Sequence, residues 1–168
     1  MIDPTPPSLP VRAAAMLYEA VLLFAVLFAA GFAWTLALQW TPPLTVWQKA
    51  ATFAFEVAVL GLYFVWQWRR GGTLPMKTWR LRLARADGGP LTVGRATARF
   101  ALAWMLLLPA AIPIATLNPG PVATMVLLLV SPLAMLATAL VDRERQMPYD
   151  RWLGLRLTRE LAATRSTR

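Results

Sequence analysis

Apolar residues fill four stretches of the chain, and polar ones gather between and beyond them. The first stretch runs from about Ala13 to Leu38, with Glu19 as its one charge. The second runs from about Val46 to Trp66, with Lys49 at its start and Glu56 inside. The third, from about Phe100 to Leu117, contains Pro109 and Pro113; the fourth, from about Val122 to Val141, contains Pro132. A helix crosses a hydrocarbon core of roughly 30 Å with about 20 such residues. Helices are required, because lipid offers no partner to backbone N–H and C=O groups. The pattern predicts an all-α membrane protein: a bundle of four transmembrane helices over 13–38, 46–66, 100–117 and 122–141, in a single domain spanning 1–168. Two rival readings exist. The first stretch exceeds the roughly 7–15-residue core of a cleaved signal peptide and carries an acid, which argues against that one. Asn118-Pro119-Gly120-Pro121 is a strong turn, so the last two stretches also fit a re-entrant hairpin; two full spans are preferred.

The connections carry the charge pattern. Gln39 to Thr45 contains Thr41-Pro42-Pro43, cannot continue a helix and holds no charge. The turn between the third and fourth stretches holds none either. Residues 69–99 carry Arg69, Arg70, Lys77, Arg80, Arg82, Arg85, Arg95 and Arg99 against the single acid Asp87. The tail, 142–168, carries seven more arginines, Arg143 and Arg145 among them. With four spans, every basic residue except Lys49 falls on one side. Basic loops stay in the cytoplasm, so both termini, the 69–99 loop and the tail are expected there. Trp34, Trp40 and Trp47 mark the expected outer interface, and Trp66, Trp68, Trp79 and Trp152 the inner one. Trp104 reads instead as a core aromatic.

Finer patterns suggest packing. Ala25, Ala29 and Ala33 form one stripe, and Ala50, Ala54 and Ala58 another. Small residues at that spacing let membrane helices approach, so the stripes either face each other or reflect alanine abundance. Trp79, Leu81 and Leu83 alternate with Arg80 and Arg82 before an Asp87-Gly88-Gly89 turn. Leu153, Leu155 and Leu157 alternate around Arg156. These two segments are expected to pair as a small cytoplasmic two-stranded element; a solvated loop with snorkelling arginines is the competing picture.

Composition narrows the chemistry. Of 168 residues, 58% are apolar and only 15% charged, against roughly a quarter charged in an average soluble domain. The net charge is +9. Because the basic residues lie in blocks beside apolar runs, a bilayer with anionic headgroups is the expected partner and nucleic acid is not. The chain has no cysteine and no histidine. That excludes disulfides, thiolate nucleophiles, iron–sulfur clusters and Ser-His-Asp or Cys-His catalysis. No catalytic residue, metal or cofactor is expected, and the chain does not read as an enzyme.

Glu19 and Glu56 are the membrane-embedded ionisable candidates. A carboxylate at mid-membrane costs at least about 2.5–3.5 kcal/mol on insertion scales, which makes both functional candidates. Arg12 and Glu19 share a helix face about 10 Å apart, and Glu56 lies roughly 15 Å from Trp66, near the midplane. Arg99 enters from the same end and is placed to meet Glu19. One reading is a proton- or cation-linked path through Glu56 and Glu19. The other is structural: Glu19 pairs with Arg12 or Arg99 to lock the helices, and Glu56 stays protonated against a backbone carbonyl.

The ordered motifs resemble the RDD family of bacterial membrane proteins, named for one arginine and two aspartates. They are Arg12 with Glu19 seven residues on, GGTLPMKTWRLRLARADGGPLTVGRATARF after the second stretch, and DRERQMPYDRWLGLRL in the tail. The resemblance implies that Arg12 is the family arginine, that Arg99 opens the third helix and that Asp150 is the tail aspartate. Thr73 falls on the family threonine. Glu19 replaces an aspartate, Gly72 a glutamine, Pro75 a glycine, and Pro148-Tyr149 a Leu-His pair. It further implies a multi-pass protein of the bacterial cell inner membrane and transport of an ion or small solute. A membrane scaffold or accessory subunit, binding another membrane protein or a second copy of itself, is the alternative. Tags on the amino end and within 69–99 are expected to be labelled from the same face of intact vesicles; labelling from opposite faces refutes the four-span scheme.

Overall fold

The structure, a computed structural model, describes residues 2–3, 7–137 and 146–160. Helix α1 covers Leu9–Leu38 and α2 covers Val46–Arg69. The first begins before Ala13, because Pro10 in its first turn has a preset φ and gives up no needed N–H. Arg12 is therefore inside the helix rather than ahead of it. Gln39 ends α1 with a left-handed φ of 48°. At the start of α2, the Gln48 side chain accepts the Thr45 N–H at 2.8 Å while the Thr45 hydroxyl accepts from Gln48 N–H. Thr45-Val46-Trp47-Gln48 has the spacing of that reciprocal cap.

The third apolar stretch is reached by a longer and broken helix. The first piece, α4 (Val93–Ala103), is capped by the Thr92 hydroxyl. A 3-10 turn over Trp104–Leu107 leads into α5 (Leu108–Leu117). The break has a local cause. Pro109 has no N–H for the helical ladder, and its ring crowds the preceding turn. The Ala110 N–H and Leu106 carbonyl would normally bond to each other. Instead both bond to the hydroxyl of Ser131, which accepts from Ala110 at 3.1 Å and donates to Leu106 at 2.8 Å. A neighbouring side chain thus closes the gap that proline opened. Ser131 and Ala110 are both buried. Asn118 ends α5 in the left-handed region, and α6 (Pro121–Ala137) runs back antiparallel beside it.

Among the described residues, three helical segments are long and apolar enough to cross a membrane: α1, α2 and the α4–α5 run, Val93–Leu117. The fourth apolar helix, α6, has 17 described residues. The end of the expected fourth span, 138–141, and Arg143 and Arg145 lie outside the described residues, as does the chain end at 161–168. The spans bury little of themselves. Phe24 is 72% exposed and Phe28 67%, an arrangement that suits lipid as solvent.

The compact core sits instead at the arginine-rich end. A short helix, α3 (Leu74–Thr78), follows α2, and α7 (Pro148–Trp152) lies in the tail. Strand β2 (Leu81–Arg85) pairs antiparallel with β3 (Leu155–Glu160), placing Leu83 opposite Leu157. This is the expected pairing. A two-residue strand, β1 (Ile2–Asp3), adds to the other edge of β3. Leu81, Leu83, Leu155 and Leu157 point into a core with Ala15, Trp68, Met76 and Ala96, while Arg80 and Arg82 face outward. The period of two holds, but both strands begin two residues late. Trp79 closes α3 and Arg80 turns with φ 54°; Leu153 precedes Gly154 with φ 63°.

Other packing expectations change. Both alanine stripes, Ala25/Ala29/Ala33 and Ala50/Ala54/Ala58, face away from the protein rather than toward each other. The α1–α2 contact uses large residues: the Trp34 ring stacks on Phe55 at 4.3 Å and its indole N–H donates to Thr52 at 3.2 Å. Trp34, Trp40 and Trp47 do cluster, with centroids 6.0 and 5.1 Å apart. Trp68, expected at an interface, is in the core, and Trp104, expected in the core, is partly exposed. Arg99 accounts for the first reversal: a buried guanidinium needs the ring face of Trp68 (below). Replacing Ser131 by Ala is expected to lower stability by about 1–3 kcal/mol, the cost of two orphaned backbone groups. Thermal unfolding in detergent measures it; an unchanged midpoint refutes the bridging role.

Candidate functional site at the arginine-rich end

The site is built where α1 starts, α2 ends and the tail returns. After α2 the chain reverses sharply through Gly71 and Gly72, with φ 95° and 122°. Only glycine adopts these readily. A Cβ at Gly72 would also lie 3.2 Å from the Met76 side chain. The reversal aims Thr73, fully buried, back at α1. The Thr73 hydroxyl donates to Glu19 Oε2 and accepts the Met76 N–H that opens α3. One hydroxyl therefore caps a helix and holds a carboxylate. From α2, the Tyr63 hydroxyl donates to the other oxygen, Glu19 Oε1, at 2.9 Å. Glu19 is thus fixed by two neutral donors rather than by the arginine that either the helix spacing or the third helix suggested.

Arg99 finds a different acid. Its Nε donates to Asp150 Oδ1 at 2.6 Å and its Nη2 to Oδ2 at 3.2 Å. That two-pronged geometry suits a planar guanidinium on a carboxylate. The Asp150 side chain is 1% exposed. The guanidinium also lies 4.2 Å over the Trp68 ring and 5.5 Å from the centroid of Tyr149. Such faces attract a cation most strongly when water is absent. Burial pushes the Tyr149 phenol up to about 12 against the opposing pull of the Arg99 charge. Arg12 is buried and close enough to Tyr149, Asp150 and Arg99 to feel their charges. The tail is held by a second device: the Gln146 carboxamide both accepts the Leu157 N–H, at 3.0 Å, and donates to the Leu157 carbonyl, at 3.3 Å, as a neighbouring strand would.

These groups meet at one cavity of about 390 Å³. Arg12, Glu19, Arg99, Tyr149 and Asp150 reach it, and apolar residues from α1, α2 and the broken third helix form most of the wall. Arg12, Glu19, Arg99 and Asp150 therefore border the same cavity. Glu56 does not. It is half-buried, makes no hydrogen bond or ion pair among the described residues and does not line the cavity. Among the described residues no hydrogen bond, ion pair or shared cavity links Glu56 to Glu19. Tyr63, Trp68 and Tyr149 were not singled out as site residues, although Tyr63 and Trp68 carry a polar tip or a ring face inside an apolar helix. Among the described residues, no cluster of three or more acidic groups could hold a metal ion. Away from the site, the exposed Asp87 carboxyl is held below its usual range by the Gly89 N–H and then by Arg85.

The fold and site define a helical membrane protein with a mostly apolar cavity at the end of its bundle, bordered by buried charged residues. The RDD family model matches residues 6–154, nearly the whole chain, and the protein belongs to that family. No curated protein and no solved structure matches it.

Removing one side of the Arg99–Asp150 pair strands a buried charge. Asp150→Ala is expected to cost about 3–5 kcal/mol, whereas the double change Arg99→Met with Asp150→Leu is expected to cost much less. Unfolding in detergent checks the order; equal losses would show that the pair is not a unit.

Proposed function

We propose that the protein is a four-span protein of the bacterial inner membrane that moves an ion or small solute, with its site at the cytoplasmic end. Both termini and the basic 69–99 loop lie in the cytoplasm, where the outward-facing Arg80 and Arg82 meet anionic headgroups. The observation that carries the reading is the cavity beside Glu19 and the Arg99–Asp150 pair, within a bundle whose third helix is broken at Pro109. Broken helices often line transport sites in membrane proteins, and Ser131 takes up the backbone groups freed at this one. The reading assigns no catalytic residue, cofactor or metal, and it places Glu56 outside the path.

One observation favours a second reading. Both alanine stripes face outward, leaving two surfaces on which another membrane helix fits closely. In that reading the protein is a scaffold or accessory subunit, and Ala29→Leu with Ala54→Leu releases a partner that otherwise co-purifies in mild detergent. The transport reading is checked in proteoliposomes by proton and cation flux and by uptake of labelled small solutes. Glu19→Leu is expected to slow the carried species about tenfold, the scale of 1.4 kcal/mol, while Glu56→Gln leaves it unchanged. Absence of flux for every species tested overturns it.

A further inference from the structure

The cavity itself narrows what it can hold. Among the described residues its charged groups are two guanidiniums and two carboxylates, Arg12, Arg99, Glu19 and Asp150, whose formal charges cancel. Arg99 and Asp150 satisfy each other, and Glu19 is held by Tyr63 and Thr73. An ion that gives up water against this wall meets no net opposite charge among the described residues, which is unfavourable. The remaining wall is apolar, including Leu23, Leu60, Phe64, Phe100 and Leu107. A volume of about 390 Å³ falls at the small end of ligand pockets.

Glu19 offers the wall a fixed acceptor. A carboxylate has about four acceptor positions, and Glu19 uses two of them, for Tyr63 and Thr73, neither of which lines the cavity. Glu19 itself does line it. A donor on a bound molecule therefore finds an acceptor already fixed in place by two hydroxyls from behind. We propose that the cavity binds an uncharged amphiphile: an apolar body packed between α1, α2 and the broken third helix, with one hydroxyl or amide N–H donating to Glu19. This deepens the transport reading and rests on it for the claim that the bound molecule is the one moved; occupancy of the cavity does not depend on it.

The test uses the full chain in proteoliposomes and an alkyl diazirine probe with a terminal hydroxyl. Matched probes end in trimethylammonium or carboxylate. After illumination, labelled residues are mapped by mass spectrometry. The hydroxyl probe is expected to label the wall around Phe100 and Ala103 saturably, and the charged probes to leave it unlabelled. Glu19→Gln, which keeps an acceptor, retains the labelling. Glu19→Leu reduces it about fivefold, the scale of one net hydrogen bond. Ala103→Phe, which fills the wall without touching a polar group, abolishes it and keeps the proposal testable if Glu19→Leu does not fold. Wall labelling by a charged probe equal to that by the hydroxyl probe overturns the proposal. Labelling confined to lipid-facing residues such as Phe24 and Phe28, or undiminished in Ala103→Phe, does the same. Labelling needs no flux, so a protein that labels but carries nothing sinks the transport reading alone. Ion flux without cavity labelling by the hydroxyl probe sinks this site alone.

Discussion

A guanidinium withdrawn from water must be satisfied on every side, and the arrangement of the arginine-rich end follows from how Arg99 achieves this. Asp150 takes two of its N–H groups, and the rings of Trp68 and Tyr149 flank it. Those partners come from α2 and from the tail, while Arg99 itself is on α4. One buried charge therefore ties three distant parts of the chain together. The attraction does little more than repay desolvation, so such a pair specifies an arrangement more than it stabilises one. It explains why the tail returns to the bundle and why Trp68 is turned inward rather than toward lipid.

Lipid inverts the usual reason for a core. Between membrane helices there is no hydrophobic force, because a lipid tail is as apolar as a leucine. The large residues of α1 can point outward at no cost, and they do. Below the spans water returns, and the chain builds a compact core from Leu81, Leu83, Leu155 and Leu157 under the helix ends. Within the spans the demand is for polar satisfaction. Ser131 answers it at the Pro109 break, and Tyr63 with Thr73 answers it at Glu19. Each is a hydroxyl, able to donate and accept without adding charge.

The two intramembrane acids part company for the same reason. Glu19 sits within reach of the glycine reversal after α2, so a backbone turn delivers Thr73 to it. Glu56 lies farther along α2 from that reversal, and it joins no network among the described residues. Depth alone made them look equivalent. Proximity to the connecting segments, where polar chain must pass, separates them.

The order of apolar and polar positions located the four apolar helical stretches and the β2–β3 pairing, and the resemblance of the ordered motifs pointed to the family. Length and period are local properties, and lipid makes them nearly sufficient. Burial in an apolar stretch brought Glu19 and Glu56 forward, and the family resemblance Arg12, Arg99 and Asp150. What this left open was which polar group meets which. Asp150 is 51 residues from Arg99 and Thr73 is 54 from Glu19, and no period links residues that far apart. Nor did alanine spacing say which way a helix turns, since small residues face lipid and protein with almost equal ease. Only the folded chain decided these, because the partner of a buried charge is chosen by where the whole backbone can bring an oxygen.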